Sequence, residues 1–408
     1  MIVCKFGGTS VAGENSALNI KKIINGDKNR KFIVVSALGK NKQFNTKITD
    51  LLLEIYEDYI NKFDYLQKLD EFFLRYQAMS ERLNVNSEWE KIKQKLLKEF
   101  NANIISKEYL VSRGEYYCAL MYSKYLNAKF LDAKDFIAFK KDNKLDFFKT
   151  RAKLKKLNKT ATYVMGGFYG GKSKSQIVLF DRGGADITGA VVAKALNAEV
   201  YENYTDVDGV YDKNPNVFDG AKSIPIIDYI TAKKMAENGN EIVHVDALGL
   251  LLDTNIILLI KSTKDYKKLG TVVTHGNLFI DKYFICNGNC LLLILDKLNK
   301  KTKQEINKFA DILSCYYYNK KYYVLLKNSI KQIGYYLNKG LYIQNVVVTK
   351  IFANISLNKK TRKILQKIKK KLKNYSIFCE FTEHFNNFTI ICLVDNYNIV
   401  KKCLNKYL

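Results

Sequence analysis

The chain has 408 residues, 47% of them hydrophobic, and a formal net charge of +27. That length exceeds one ordinary core, so two or three domains are expected, and the apolar content excludes a disordered chain. No apolar run nears the roughly 20 residues of a membrane helix, and eight scattered cysteines without a C-x-x-C pair argue against both a disulfide framework and a zinc site.

Met1–Phe6 is a short apolar run that stops at Gly7-Gly8 and reads as a strand entering a tight loop. It lacks the basic start and long apolar core of a signal peptide, so a cytoplasmic protein with no membrane partner is expected. Val11, Ala17, Leu18, Ile20, Ile23 and Ile24 recur at helical spacing, and Asn25-Gly26 offers a C-cap. Lys31–Ala37 is a β-branched second strand. Strand, helix, strand in this order argues for a parallel α/β sheet.

Residues 49–100 are Leu-, Glu- and Lys-rich without Gly or Pro and predict two or three helices. A further helix over Leu110–Leu126 carries Arg113-Gly114-Glu115. Thr162–Met165 is a strand running into a glycine-rich loop, Ala185–Leu196 an Ala/Gly-rich helix able to pack closely on a sheet, and Glu199–Tyr204 another strand. Thr231–Asn238 and Ile242–Leu252 read as helical, and Ile256–Lys261 and Thr271–Thr274 as strands.

Composition shifts after about Gly276: paired glycines disappear and apolar strands alternate with Lys-rich helices. Val346–Phe352, Lys359–Lys373, Ser376–Glu380, Thr389–Val394 and Tyr397–Tyr407 follow strand, helix, strand, strand, helix, most of a ferredoxin-like unit. A vaguer copy precedes it. The expected domains are therefore 1–276, 277–341 and 342–408: one α/β domain and two small α+β modules. Lysine is densest here, as in Lys367–Lys373, and a solvated lysine surface accounts for the charge better than a nucleic-acid partner.

Three segments carry chemistry. In Lys5-Phe6-Gly7-Gly8-Thr9-Ser10, glycines let backbone N–H groups approach phosphate oxygens, and Lys5 can neutralise a transferring phosphoryl group. The spacing is not that of a P-loop. In Arg182-Gly183-Gly184-Ala185-Asp186, a guanidinium and a carboxylate flank a helix start. Arg182 can grip a carboxylate with two parallel hydrogen bonds, and Asp186 can position Lys5. Thr205-Asp206-Val207-Asp208-Gly209-Val210-Tyr211 lacks the Gly and Glu positions of a calcium loop and suits a strand end beneath a nucleotide.

In that order and spacing, these segments resemble the aspartate kinases, a branch of the amino-acid kinases. Ser36-Ala37, Thr46-Lys47-Ile48-Thr49, Ser112-Arg113-Gly114-Glu115, Gly167-Phe168-Tyr169-Gly170 and Val243-His244 strengthen the resemblance over residues 1–276. It implies an αβα sandwich of the amino-acid kinase (carbamate kinase-like) type, followed by two ACT-like modules. It implies transfer of the ATP γ-phosphate to the β-carboxylate of L-aspartate, the first step towards lysine, threonine and methionine. The alternatives are a glutamate or acetylglutamate kinase of the same fold, or a non-catalytic amino-acid sensor.

Carried over residue by residue, Lys5 and Asp186 are catalytic, and Lys5, Gly7, Gly8, Thr9, Thr205, Asp206 and Tyr211 hold the nucleotide. Ser36, Thr49, Glu115, Arg182, Gly183, Gly184, Ala185 and Asp186 hold aspartate. Mg²⁺ arrives bound through ATP, with no dedicated protein ligand. The C-terminal modules imply a homodimer or higher oligomer. Asn216 and Glu241 stand where many family members carry basic residues, so altered nucleotide contacts are expected, and the effector loops of ACT modules are not evident, with Asn387 the one position to align.

Overall fold

The computed structural model describes the chain except residues 42, 174, 181–182, 216–217, 240–241, 276–283, 296–298, 308–311, 319–320, 328–341, 353–358, 374–376, 383–386 and 408. It separates into two compact units. The first comprises Met1–Val210, Ser223–Ala236 and Glu241–Leu278; the second comprises Tyr211–Lys222, Glu237–Asn240 and Phe279–Leu408.

The first unit is built on β1 (Ile2–Phe6), α1 (Glu14–Asn25), β2 (Arg30–Val35), α2 (Ile48–Ile60), α3 (Leu66–Arg82), α4 (Trp89–Asn101), α5 (Lys107–Tyr125), β3 (Lys129–Leu131), β4 (Tyr163–Gly166), α6 (Gly184–Leu196), β5 (Val200–Thr205), β6 (Ile226–Asp228), α7 (Val245–Leu251), β7 (Ile257–Ser262) and β8 (Thr271–Thr274). Its sheet has the order β6-β8-β7-β5-β1-β2-β4-β3. The run from β7 through β3 is parallel, and β8 pairs antiparallel with β7.

Parallel strands need both faces covered. Cys4, Phe6, Ile33 and Val35 point to one face and pack with Ala17, Ile20 and Ile23 of α1 and with the helices α2–α5. The other face is covered by α6, which lies over β1, β2 and β5, and α7 packs on α6. The small residues of α6 permit this approach: a Cβ on Gly189 would lie 2.4 Å from the Tyr201 hydroxyl. The result is the αβα sandwich expected, with three helices between residues 48 and 101.

α5 is buried nearly all round, from Leu110 to Tyr125. Its start is defined by Ser106, whose hydroxyl accepts from the Tyr109 N–H at 3.2 Å. It therefore carries Glu115 through the interior, where a charged side chain is costly unless a partner comes with it.

The second unit has β9 (Phe284–Leu295), α8 (Lys300–Asn307), β10 (Ile312–Tyr318), β11 (Lys321–Lys327), β12 (Tyr342–Phe352), α9 (Lys359–Lys373), β13 (Phe378–Thr382), β14 (Asn387–Leu393) and α10 (Tyr397–Tyr407). Two strand-helix-strand-strand runs join by antiparallel pairing of β9 with β12 into one six-stranded sheet, β10-β11-β9-β12-β14-β13. The modules therefore share a sheet. Leu365, Ile368 and Leu372 of α9 bury one stripe against Phe388, Ile390, Val400 and Leu404, while Lys363, Lys367 and Lys370 face outward. Asn387 lies on β14, and its side chain is outside the description.

Candidate active site

The carboxyl ends of β1, β2 and β5, with the start of α6, form one cluster. β1 and β5 pair in parallel with Lys5 opposite Asn203, so both side chains leave the sheet on the face covered by α6. Lys5 Nζ lies 2.7 Å from Asp186 Oδ1, with both side chains almost buried. It also donates to Asn203 Oδ1 at 3.3 Å. Asp186 Oδ1 accepts from Asn203 Nδ2 at 2.9 Å, and Oδ2 from the backbone N–H of His244 at 3.1 Å.

The glycine turn follows directly. The Gly7 N–H donates to the Tyr204 carbonyl at 3.1 Å, and Gly8–Val11 forms one helical turn capped by no side chain. A Cβ on Gly7 would lie 3.5 Å from Lys5 Nζ, so the amine sits beside the turn. The Gly39 N–H donates to the Gly8 carbonyl at 2.9 Å, and a Cβ on Gly39 would lie 2.5 Å from the Gly8 carbonyl carbon. That contact holds the loop after β2 against the turn. Thr9 is exposed at its edge.

The second glycine pair opens α6. Gly183 has φ +73, which a side chain tolerates poorly, and a Cβ there would strike the His244 ring at 2.3 Å. Gly184 backs onto Phe168, and Ala185 onto Gly167. The N-terminus of this 13-residue helix presents positive dipole at Asp186. Arg182, expected to grip the substrate, lies outside the described residues, as do Asn216 and Glu241.

Ser36 follows β2, its N–H donating to the Phe6 carbonyl at 3.1 Å. Thr49 lies in the first turn of α2, half-buried. Glu115 is buried beside both segments: a Cβ on Gly114 would touch Ala37 and Ile48, each at 3.0 Å. Glu115 Oε2 has no hydrogen-bond partner among the described residues. Burial pushes its carboxyl up to about 8, opposed only partly by the Ala37 N–H.

Thr205 ends β5; its hydroxyl donates to Asp206 at 3.1 Å, and its carbonyl accepts from the Thr263 N–H at 3.0 Å. Asp206 is exposed. Tyr211 belongs to the second unit. No group of three or more His, Cys, Asp or Glu able to hold a metal occurs among the described residues. Both oxygens of Asp186 are already engaged by N–H donors. The described donor set is compatible with a cation delivered on phosphates.

Asn203, Gly39 and the backbone of His244 were not singled out by the sequence. The signal for Asn203 was present: Glu202 and Asn203 are adjacent polar residues inside a strand that should read as an apolar run. Glu202 serves the opposite face. It accepts from Arg30 Nε at 2.7 Å and Nη2 at 2.9 Å, from Tyr204 Oη at 3.1 Å and from Cys4 Sγ at 3.3 Å. Burial and the Glu202 carboxylate hold the Cys4 thiol well above its ordinary range, so it stays protonated.

The Amino acid kinase family matches residues 1–262. Aspartokinase 3 of Bacillus subtilis is 29% identical over 287 residues, 67% of this chain and 63% of that relative. Lysine-sensitive aspartokinase 3 of Escherichia coli is 29% identical over 324 residues, 73% of this chain and 70% of its own. Among solved structures, Clostridium acetobutylicum aspartate kinase superposes with TM-score 0.82 at 24% identity, covering 100% of both chains. The E. coli aspartokinase III complex with aspartate and ADP superposes with TM-score 0.80 at 21% identity, covering 100% of this chain and 99% of that one. These two likenesses establish the fold. The Bacillus match spans less than two thirds of that relative's length.

Proposed function

The chain belongs to the amino acid kinase family, and from that premise we propose that it is an aspartate kinase, moving the γ-phosphoryl group of ATP to the β-carboxylate of L-aspartate. The observation that carries the reading is the buried Lys5–Asp186 pair closed against the Gly7–Gly8 turn. The aspartokinase relatives support it.

The acceptor needs no general base. A β-carboxylate titrates near about 4 and is already ionised at neutral pH. Its oxygen attacks the γ-phosphorus as the bond to the ADP oxygen breaks, and no proton moves. The protein's task is alignment and charge stabilisation. Lys5 has three N–H bonds and gives two to Asp186 and Asn203, leaving one for a γ-phosphate oxygen. The N–H groups of Gly8 and Thr9 and of the α6 start suit phosphate oxygens.

We assign Glu115 to the substrate ammonium group, because a buried carboxyl oxygen without a partner is what a cationic ligand would satisfy. Ser36, Thr49 and the Gly183–Asp186 turn would complete the aspartate site, with Arg182 on the carboxylate. Thr205 and Asp206 are assigned to the nucleotide. Mg²⁺ would travel on the β- and γ-phosphates and neutralise their charge. The second unit is proposed to pair with its copy in a homodimer. No helix among the described residues is long and apolar enough to cross a membrane, and a cytoplasmic place is proposed.

The test is ADP release dependent on both ATP–Mg²⁺ and L-aspartate, with the acyl phosphate trapped by hydroxylamine. Absence of hydroxamate above background with several divalent metals would overturn the reading, and activity with glutamate in place of aspartate would redirect it.

A further inference from the structure

We propose that Asn203 is a positioning residue that sets where the Lys5 ammonium stands. This rests on the phosphoryl-transfer reading of the site. Asn203 is fully buried. Its amide closes a triangle with the ion pair: Nδ2 donates to Asp186 Oδ1 at 2.9 Å while Oδ1 accepts from Lys5 Nζ at 3.3 Å. The orientation of the amide follows from its partners, since a carboxylate only accepts and an ammonium only donates.

A neutral side chain that donates and accepts at once is the chemistry this position requires. An apolar residue would leave Asp186 as the one remaining partner of Lys5 Nζ among the described residues. Lysine has four rotatable side-chain bonds, and Asn203 supplies a second fixed point for its amine. The backbone N–H of His244 does the same for the other oxygen of Asp186. With two of its N–H bonds committed, Lys5 has one left, and its amine stands beside Gly7. A misplaced charge stabilises the transferring group less, while ground-state binding, spread over many contacts, changes little.

Asn203→Leu is expected to lower kcat by about 10- to 100-fold and to leave both KM values within about threefold, since a loss confined to the transition state falls on kcat. Asn203→Asp, nearly isosteric, carries the test if the leucine variant does not fold. Its new carboxyl faces Asp186, so one of the two holds a proton at low pH and donates as the amide does. Its activity should therefore fall as pH rises, in a limb the wild type lacks. Wild-type kcat in Asn203→Leu, or a wild-type pH profile in Asn203→Asp, would overturn the proposal.

Solvent exchange of the Lys5 ammonium protons, followed by nitrogen-15 NMR in the full chain, reads the positioning without turnover. Exchange faster in Asn203→Leu than in wild type supports it, and equal rates overturn it. If the wild-type protein makes no aspartyl phosphate, the functional reading falls while this measurement still decides the role of Asn203.

Discussion

Lys5 and Asp186, from opposite halves of the first unit's sequence, meet at 2.7 Å with both side chains almost buried. Such a pair is expensive to desolvate and is weak evidence of stabilisation by itself. Its place beside a glycine turn gives it a use. Lys5→Met keeps the length and removes the charge, and should lower kcat by about 100- to 1,000-fold, the scale on which single electrostatic donors contribute. A coupled ADP assay against circular dichroism of the folded variant checks this; near wild-type kcat would remove Lys5 from the mechanism.

Glu115 should make aspartate binding depend on pH. Its carboxyl is raised to about 8 in the free protein, and only the ionised form attracts an ammonium group. KM for aspartate should therefore fall as pH rises towards about 8. Glu115→Gln should flatten that dependence and raise KM by about 10- to 100-fold, as expected for a hydrogen bond to a charged group worth roughly 1.5–3 kcal/mol. A flat KM profile in the wild type would exclude this role.

The same shift has a consequence for stability. The folded value, about 8, lies above the ordinary 4.5, so the folded state holds more protons between the two. Stability from this group is fully present below about 4.5 and is lost as pH rises through about 8. In the unliganded protein, Tm should decline across that window more steeply than in Glu115→Gln. Equal slopes would count against the burial as described.

Gly39→Ala should weaken ATP binding. Its Cβ would lie 2.5 Å from the Gly8 carbonyl carbon, which is backbone and cannot turn aside. Either the loop after β2 or the phosphate turn must move. We expect destabilisation by roughly 1–3 kcal/mol and a KM for ATP raised more than that for aspartate. Isothermal titration with a non-hydrolysable ATP analogue would measure it directly; unchanged affinity would mean that the turn is held elsewhere.

Arg30→Ala should be among the most destabilising surface-adjacent changes, at about 3–5 kcal/mol, because it strands a buried carboxylate. Glu202 is 3% exposed and would retain only Tyr204 and Cys4 as donors. Urea unfolding of Arg30→Ala beside the Arg30→Ala/Glu202→Leu double variant separates the two terms: the double variant should recover most of the loss.

The N-terminal half was legible because its signals are local. Paired glycines mark turns wherever they fold, a β-branched run of six residues makes a strand, and helical periodicity over residues 49–100 needs no partner to be recognised. Helix starts were less legible: α1 begins at Glu14, not Val11, because Gly8–Val11 forms a separate helical turn. The joining of two strand-helix-strand-strand runs into one sheet was also hidden, since pairing of β9 with β12 depends on residues far apart in the chain.

The sequence by itself pointed to most of the elements, to the two glycine turns and, by residue type and short-range spacing, to Lys5 and Asp186, whereas Glu115 stood out only through the family resemblance. Only the tertiary structure decided who stands beside whom. Parallel pairing of β1 with β5 puts Asn203 next to Lys5, and the close packing of α6 delivers Asp186 to both. Register between distant strands is fixed by burial of whole faces, a collective property that no single stretch of chain carries.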